Sequence, residues 1–121
     1  MDDLTKNILW SQFGAAVDML ENAIKDCPVE VWEDQTGEKF RHYWYIAYHT
    51  IFWLDYYLTE NTDNYKPPDP FGLTELDPAG VIPDPPYTKE ELLSYLDYGR
   101  EKCRETIKIL TEERASKIIR F

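Results

Sequence analysis

The chain has 121 residues, a length that fits one domain, and 43% of them are hydrophobic, enough for a core. Its formal net charge of −10 argues against non-specific nucleic-acid binding, which needs Lys and Arg to displace counterions, and against docking on an anionic membrane surface. The acidic opening Met1-Asp2-Asp3 has no apolar run behind it, and the two cysteines, Cys27 and Cys103, form no CxxC, so the expected setting is the reduced cytoplasm.

The first helix is expected within residues 1–26. Leu9, Phe13, Ala16, Val17, Leu20 and Ile24 recur at three- and four-residue steps and make one apolar stripe. Asp3 is the expected N-cap. Cys27-Pro28 ends the helix, because a residue before proline is pushed out of the α region. Pro28 to Gly37 reads as a connector pinned to the core by Val29, Val31 and Trp32, with Asp34-Gln35-Thr36-Gly37 as a loop.

The second helix is expected over 38–60. Tyr45, Ile46, His49, Phe52, Trp53 and Tyr56 share one face, and Trp44, Ala47, Ile51, Leu54 and Leu58 an adjacent one. A helix apolar on most sides belongs in the middle of a bundle. Arg41, His42, His49 and Asp55 interrupt the apolar run, so it does not read as a membrane span.

Residues 61–87 carry seven of the eight prolines and cannot form a regular helix. Phe71, Leu73, Leu76, Val81 and Ile82 are spread through this loop and are expected to anchor it against the bundle. The third helix, over 88–110, opens with Thr88-Lys89-Glu90-Glu91, a capping box in which Thr88 caps the Glu91 amide and the Glu91 side chain reaches back. Leu92, Leu96, Gly99, Cys103, Thr106, Ile107 and Leu110 form its apolar stripe, and the small Gly99 and Cys103 invite close approach of a neighbour. Thr111 is placed to cap a short terminal helix within 111–121.

His49 is the most informative single residue. On the core-facing stripe of the second helix, its imidazole either hydrogen-bonds a tyrosine or carboxylate or binds a metal together with ligands facing it. His42 lies two turns earlier, about 10 Å along the axis, too far to share an ion with His49 within this helix; it reads as a helix-end or surface histidine. Asp55 is expected to face solvent, to pair with an arginine, or to orient a ligand. No partner that would activate Cys27 or Cys103 as a nucleophile is visible, and there is no Gly-rich phosphate loop, HExxH or GxSxG.

The run Tyr43-Trp44-Tyr45-Ile46-Ala47-Tyr48-His49-Thr50-Ile51-Phe52-Trp53-Leu54-Asp55-Tyr56-Tyr57-Leu58 resembles the second-helix segment of DinB-like proteins. Phe71-Gly72-Leu73-Thr74-Glu75-Leu76-Asp77-Pro78 is similar to that family's loop, and Tyr87 through Arg104 to its third helix. The resemblance implies an all-α, four-helix bundle, commonly a homodimer, with a metal-dependent hydrolase or thiol-dependent transferase activity. It also implies a zinc or nickel site built from one second-helix histidine and an HxxxH pair on the last long helix. Only His49 carries over: the sequence contains no HxxxH and stops before that helix. The expectation is therefore three long helices with the last helix of the bundle missing, an incomplete metal site, and an uncovered apolar face that favours a homodimer. The alternative is a non-catalytic helical interaction module or structural homodimer.

Overall fold

The computed structural model describes residues 1–84 and 86–118, and every regular element among them is helical. The helices are α1 (Asp3–Asp26), α2 (Val29–Trp32), α3 (Tyr43–Leu58), α4 (Lys89–Lys108) and α5 (Glu112–Ile118), with 3₁₀ turns at Lys39–Arg41 and Thr74–Leu76. Residues 119–121 of the expected terminal helix lie outside the described residues.

Helix ends follow local chemistry. Asp2, one residue earlier than expected, caps α1 by accepting the Thr5 amide at 2.7 Å. Cys27 turns extended ahead of Pro28 and ends it. The α4 capping box is formed in both directions: Thr88 Oγ1 accepts the Glu91 amide at 3.0 Å, and Glu91 accepts the Thr88 amide at 2.9 Å. Thr111 Oγ1 accepts the Arg114 amide at 3.2 Å at the start of α5.

The second helix is shorter than its apolar run. After the 3₁₀ turn, His42 is extended (φ −64°, ψ 137°), so α3 begins only at Tyr43. At the other end Thr59 Oγ1 bonds the Asp55 carbonyl at 2.9 Å, and the chain leaves the helix. In the connector only Trp32 reaches the core, its indole N–H donating to the Tyr87 carbonyl at 3.0 Å; Val29 and Val31 stay exposed on the short α2. The proline-rich loop is anchored by Tyr65, Phe71, Ile82 and Tyr87, whereas Leu73, Leu76 and Val81 remain exposed. Rings suit this task because each buries a large area at one attachment point.

α4 is the central element. Its whole predicted stripe is buried, from Leu92 through Ile107, with Leu110 just beyond the helix. α1 and α3 both pack on α4 and touch each other little. α3 meets α4 where Leu54 lies over Gly99; a Cβ there would come within 3.3 Å of Leu54 Cδ2. α1 runs antiparallel to α4. Lys6 Nζ donates to the Lys108 carbonyl at 2.7 Å, and at the opposite end Lys89 Nζ donates to the Cys27 and Lys25 carbonyls. Midway, Arg100 bridges Asp18 at 3.2 Å and Glu21 at 3.0 Å, and pairs with Asp97 on its own helix.

The predicted α1 stripe is only partly covered. Val17 and Ile24 are its buried members, while Ala16, and Phe13 on the same face as they are, stay exposed. Leu4, Ile8 and Met19 on α1, and Ile46 and Tyr57 on α3, are exposed as well. No helix among the described residues is long and apolar enough to cross a membrane.

Candidate functional site

The large rings of α3 decide which way the helix turns. Trp44, Tyr48, Ile51 and Phe52 are fully or almost fully buried, and Asp55 lies on the same side. That rotation carries His49 off the core-facing stripe expected for it: its side chain is 51% exposed. The imidazole is nevertheless held. Its Nδ1 bonds Glu75 Oε1, on the 3₁₀ turn of the proline-rich loop, and the Glu75 side chain is only 5% exposed.

Glu75 is the centre of this cluster. Tyr45 Oη donates to its Oε2 at 2.6 Å, and Trp53 Nε1 donates to its Oε1 at 3.2 Å. Tyr45, His49 and Trp53 are spaced four residues apart, so one helical face delivers three donors to one carboxylate. Three donors satisfy an ionised, acceptor-only carboxylate, which assigns the proton of the His49–Glu75 bond to Nδ1. His49 Nε2 has no hydrogen-bond partner among the described residues. Tyr45 and Trp53 flank the imidazole with ring centroids 5.8 and 6.3 Å away. Behind them Tyr48 Oη and Thr74 Oγ1 are buried side by side without closing a hydrogen bond of good geometry, and burial pushes the Tyr48 hydroxyl up to about 12.

A carboxylate that takes one ring N–H fixes the tautomer and leaves the other nitrogen's lone pair for a ligand, as in carboxylate–histidine–metal arrangements. The donor set supplies one corner of a zinc or nickel site and no more. Among the described residues, no three of His, Cys, Asp and Glu gather into a metal-binding group, and the Glu75 oxygens are already taken. Three or four ligands are needed to hold such an ion.

The other sequence candidates fall elsewhere. His42 sits at the α3 N-terminus, as a helix-end residue would, but it is buried, at 7% exposure, rather than on the surface. Cys27 and Cys103 are buried free thiols, and burial pushes both up from their ordinary range, away from the thiolate.

Asp55 is fully buried in a second network. Its Oδ2 accepts Tyr95 Oη at 2.9 Å and also the Tyr65 hydroxyl, and its Oδ1 accepts Lys102 Nζ at 2.6 Å. Lys102 also donates to Thr59 Oγ1 at 2.5 Å. Asp55 does form an ion pair, but with Lys102 rather than the expected arginine.

Glu75 and Lys102 were not singled out by sequence reasoning. The only signal for Glu75 was its place in the segment resembling the DinB loop. Comparison of the chain with protein-family models, with curated proteins and with solved structures finds no match.

Proposed function

We propose that this chain is a DinB-like helical domain that offers one imidazole, His49, as a ligand for zinc or nickel, the remaining donors coming from another polypeptide segment. The observation that carries this reading is Glu75. A nearly buried carboxylate grips Nδ1 of a half-exposed histidine and leaves Nε2 without a partner among the described residues, the arrangement that orients metal-bound imidazoles. The exposed Ile46 and Tyr57 of α3 support the rest of the reading, since they leave the side of that helix bearing His49 uncovered. The chemistry implied by the resemblance, hydrolysis or thiol-dependent transfer, is Lewis-acid chemistry that the bound ion supplies. This chain's share is to fix the imidazole tautomer through Glu75 and to wall it with Tyr45 and Trp53.

The test is the zinc and nickel content of the protein isolated under non-denaturing conditions, beside His49→Ala and Glu75→Gln. Isolated together with the segment that completes the site, the wild type retains metal, His49→Ala loses it, and Glu75→Gln binds about 10- to 100-fold more weakly. Equal metal content in the wild type and His49→Ala overturns the reading.

A second reading, a non-catalytic interaction module or structural homodimer, is favoured by the exposed apolar residues of α1. Leu4, Ile8 and Met19 are exposed within one arc of the helix by their spacing, and Phe13 is exposed as well.

A further inference from the structure

We infer that Asp55 and Tyr65 are positioning residues for the His49–Glu75 pair, acting through the proline-rich loop. The inference rests on the metal-ligand reading only for its purpose; the coupling itself is read from contacts.

Glu75 needs an external anchor. Leu73 and Leu76, which flank it, are exposed, and the buried Thr74 hydroxyl has no hydrogen-bond partner among the described residues, so apart from Glu75's own bonds to α3 the turn is held from the loop. The loop is fixed upstream of the turn at two points, and both meet Tyr95 of α4. Tyr65 bonds the Asp55 carboxylate with its hydroxyl 3.5 Å from Tyr95 Oη, and its ring packs edge-on to Phe52 and Tyr56. Phe71 stacks on Tyr95 with ring centroids 4.3 Å apart and on Tyr48 at 5.9 Å. Tyr95 is itself oriented by its bond to Asp55. One buried carboxylate thus ties the first loop anchor directly and sets one of the three rings, with Tyr48 and Tyr87, on which the second one rests.

Three residues separate Phe71 from Glu75, so a shift of that ring moves the carboxylate relative to His49. Asp55 is well suited to act as the fixed point. It is fully buried, both of its carboxylate oxygens are bonded, and Lys102 neutralises it. Removing one partner of such a network leaves a buried polar group unpaired, and the local structure rearranges rather than tolerating it.

The readout is the tautomer of His49, measured from its ring nitrogens by NMR on histidine-labelled protein. The chain has two histidines, so His49→Ala assigns the signals. In the wild type His49 is in the Nδ1–H form. Asp55→Asn and Tyr65→Phe shift its nitrogens toward the Nε2–H form that an untethered imidazole favours, while the His42 signals stay in place. Tyr65→Phe keeps the ring and its packing, so it carries the test if Asp55→Asn does not fold. His49 signals unchanged in a folded Tyr65→Phe variant whose thermal midpoint has fallen would mean that the network only stabilises, and the inference fails. A wild-type spectrum without the Nδ1–H form overturns the held pair and the inference with it. The measurement uses no metal. Passing here while the completed complex holds no ion refutes the ligand role alone.

Discussion

Tyr48, Tyr65 and Tyr95 illustrate how much of this molecule is decided by single hydroxyls inside a ring-lined core. Burial raises all three above the ordinary 10, and the Asp55 carboxylate adds to the shift for Tyr65 and Tyr95. Burial raises Tyr45, Tyr87 and Tyr98 as well. An acid whose folded value is raised binds its proton more tightly when folded. Its contribution to stability is complete below the unfolded value and is lost as pH rises toward the folded one. The tyrosine contribution to the unfolding free energy is therefore expected to be flat to about pH 9 and to fall above about pH 10. A phenolate absorbance titration of the native chain is expected to show six of the nine tyrosines ionising late; a single step for all nine near pH 10 contradicts it. The sequence marked His49 as exceptional but could not orient it. On a helix that is apolar all round, the buried side goes to the rings that best fill the space beside α4, here Trp44, Tyr48 and Phe52, and the imidazole is turned outward. Glu75, 26 residues away on a proline-rich loop, and Lys102, 47 residues from Asp55, belong to no local pattern, so sequence spacing alone cannot pair them.

Among the elements, α1 and α4 cap each other. The last carbonyls of a helix lack intrahelical partners and carry the negative end of its dipole, and a lysine there answers both needs. Lys6, near the start of α1, serves the end of α4, and Lys89, at the start of α4, serves the end of α1. Replacing either by methionine keeps most of the apolar stem and removes the charge. Each change is expected to cost about 0.3–1 kcal/mol. Amide exchange should quicken in the last turn of the opposite helix, α4 for Lys6→Met and α1 for Lys89→Met; quickening confined to the mutated helix would refute the reciprocal cap. Helices were the most legible level of the sequence. The capping box at Thr88, the stop at Cys27-Pro28 and the full α4 stripe follow from residue chemistry that acts within one or two turns. The α1 stripe was legible as a pattern but not as burial, because whether a face is covered depends on what packs there. The break at His42 and the misassigned loop anchors have the same origin: an apolar residue signals a tendency to bury, and long-range packing selects which ones do.

At the level of the whole molecule, the all-helical class follows from the sequence, and the arrangement of α1 and α3 around α4 does not. That arrangement leaves Leu4, Ile8, Phe13 and Met19 on α1 uncovered beside a strongly acidic remainder. If a second copy covers them, folding is linked to association, and the thermal midpoint is expected to fall over a roughly hundredfold dilution. A midpoint that does not move removes the homodimer. Trp53 offers a way to watch either event without a label. Its indole N–H is bonded to the carboxylate that also holds His49, and its ring sits 5.4 Å from the exposed Tyr57. Fluorescence from this one of four indoles, isolated by a Trp53→Phe difference spectrum, would therefore respond both to an occupant at the imidazole and to the arrival of a neighbouring surface, making the protein its own optical sensor.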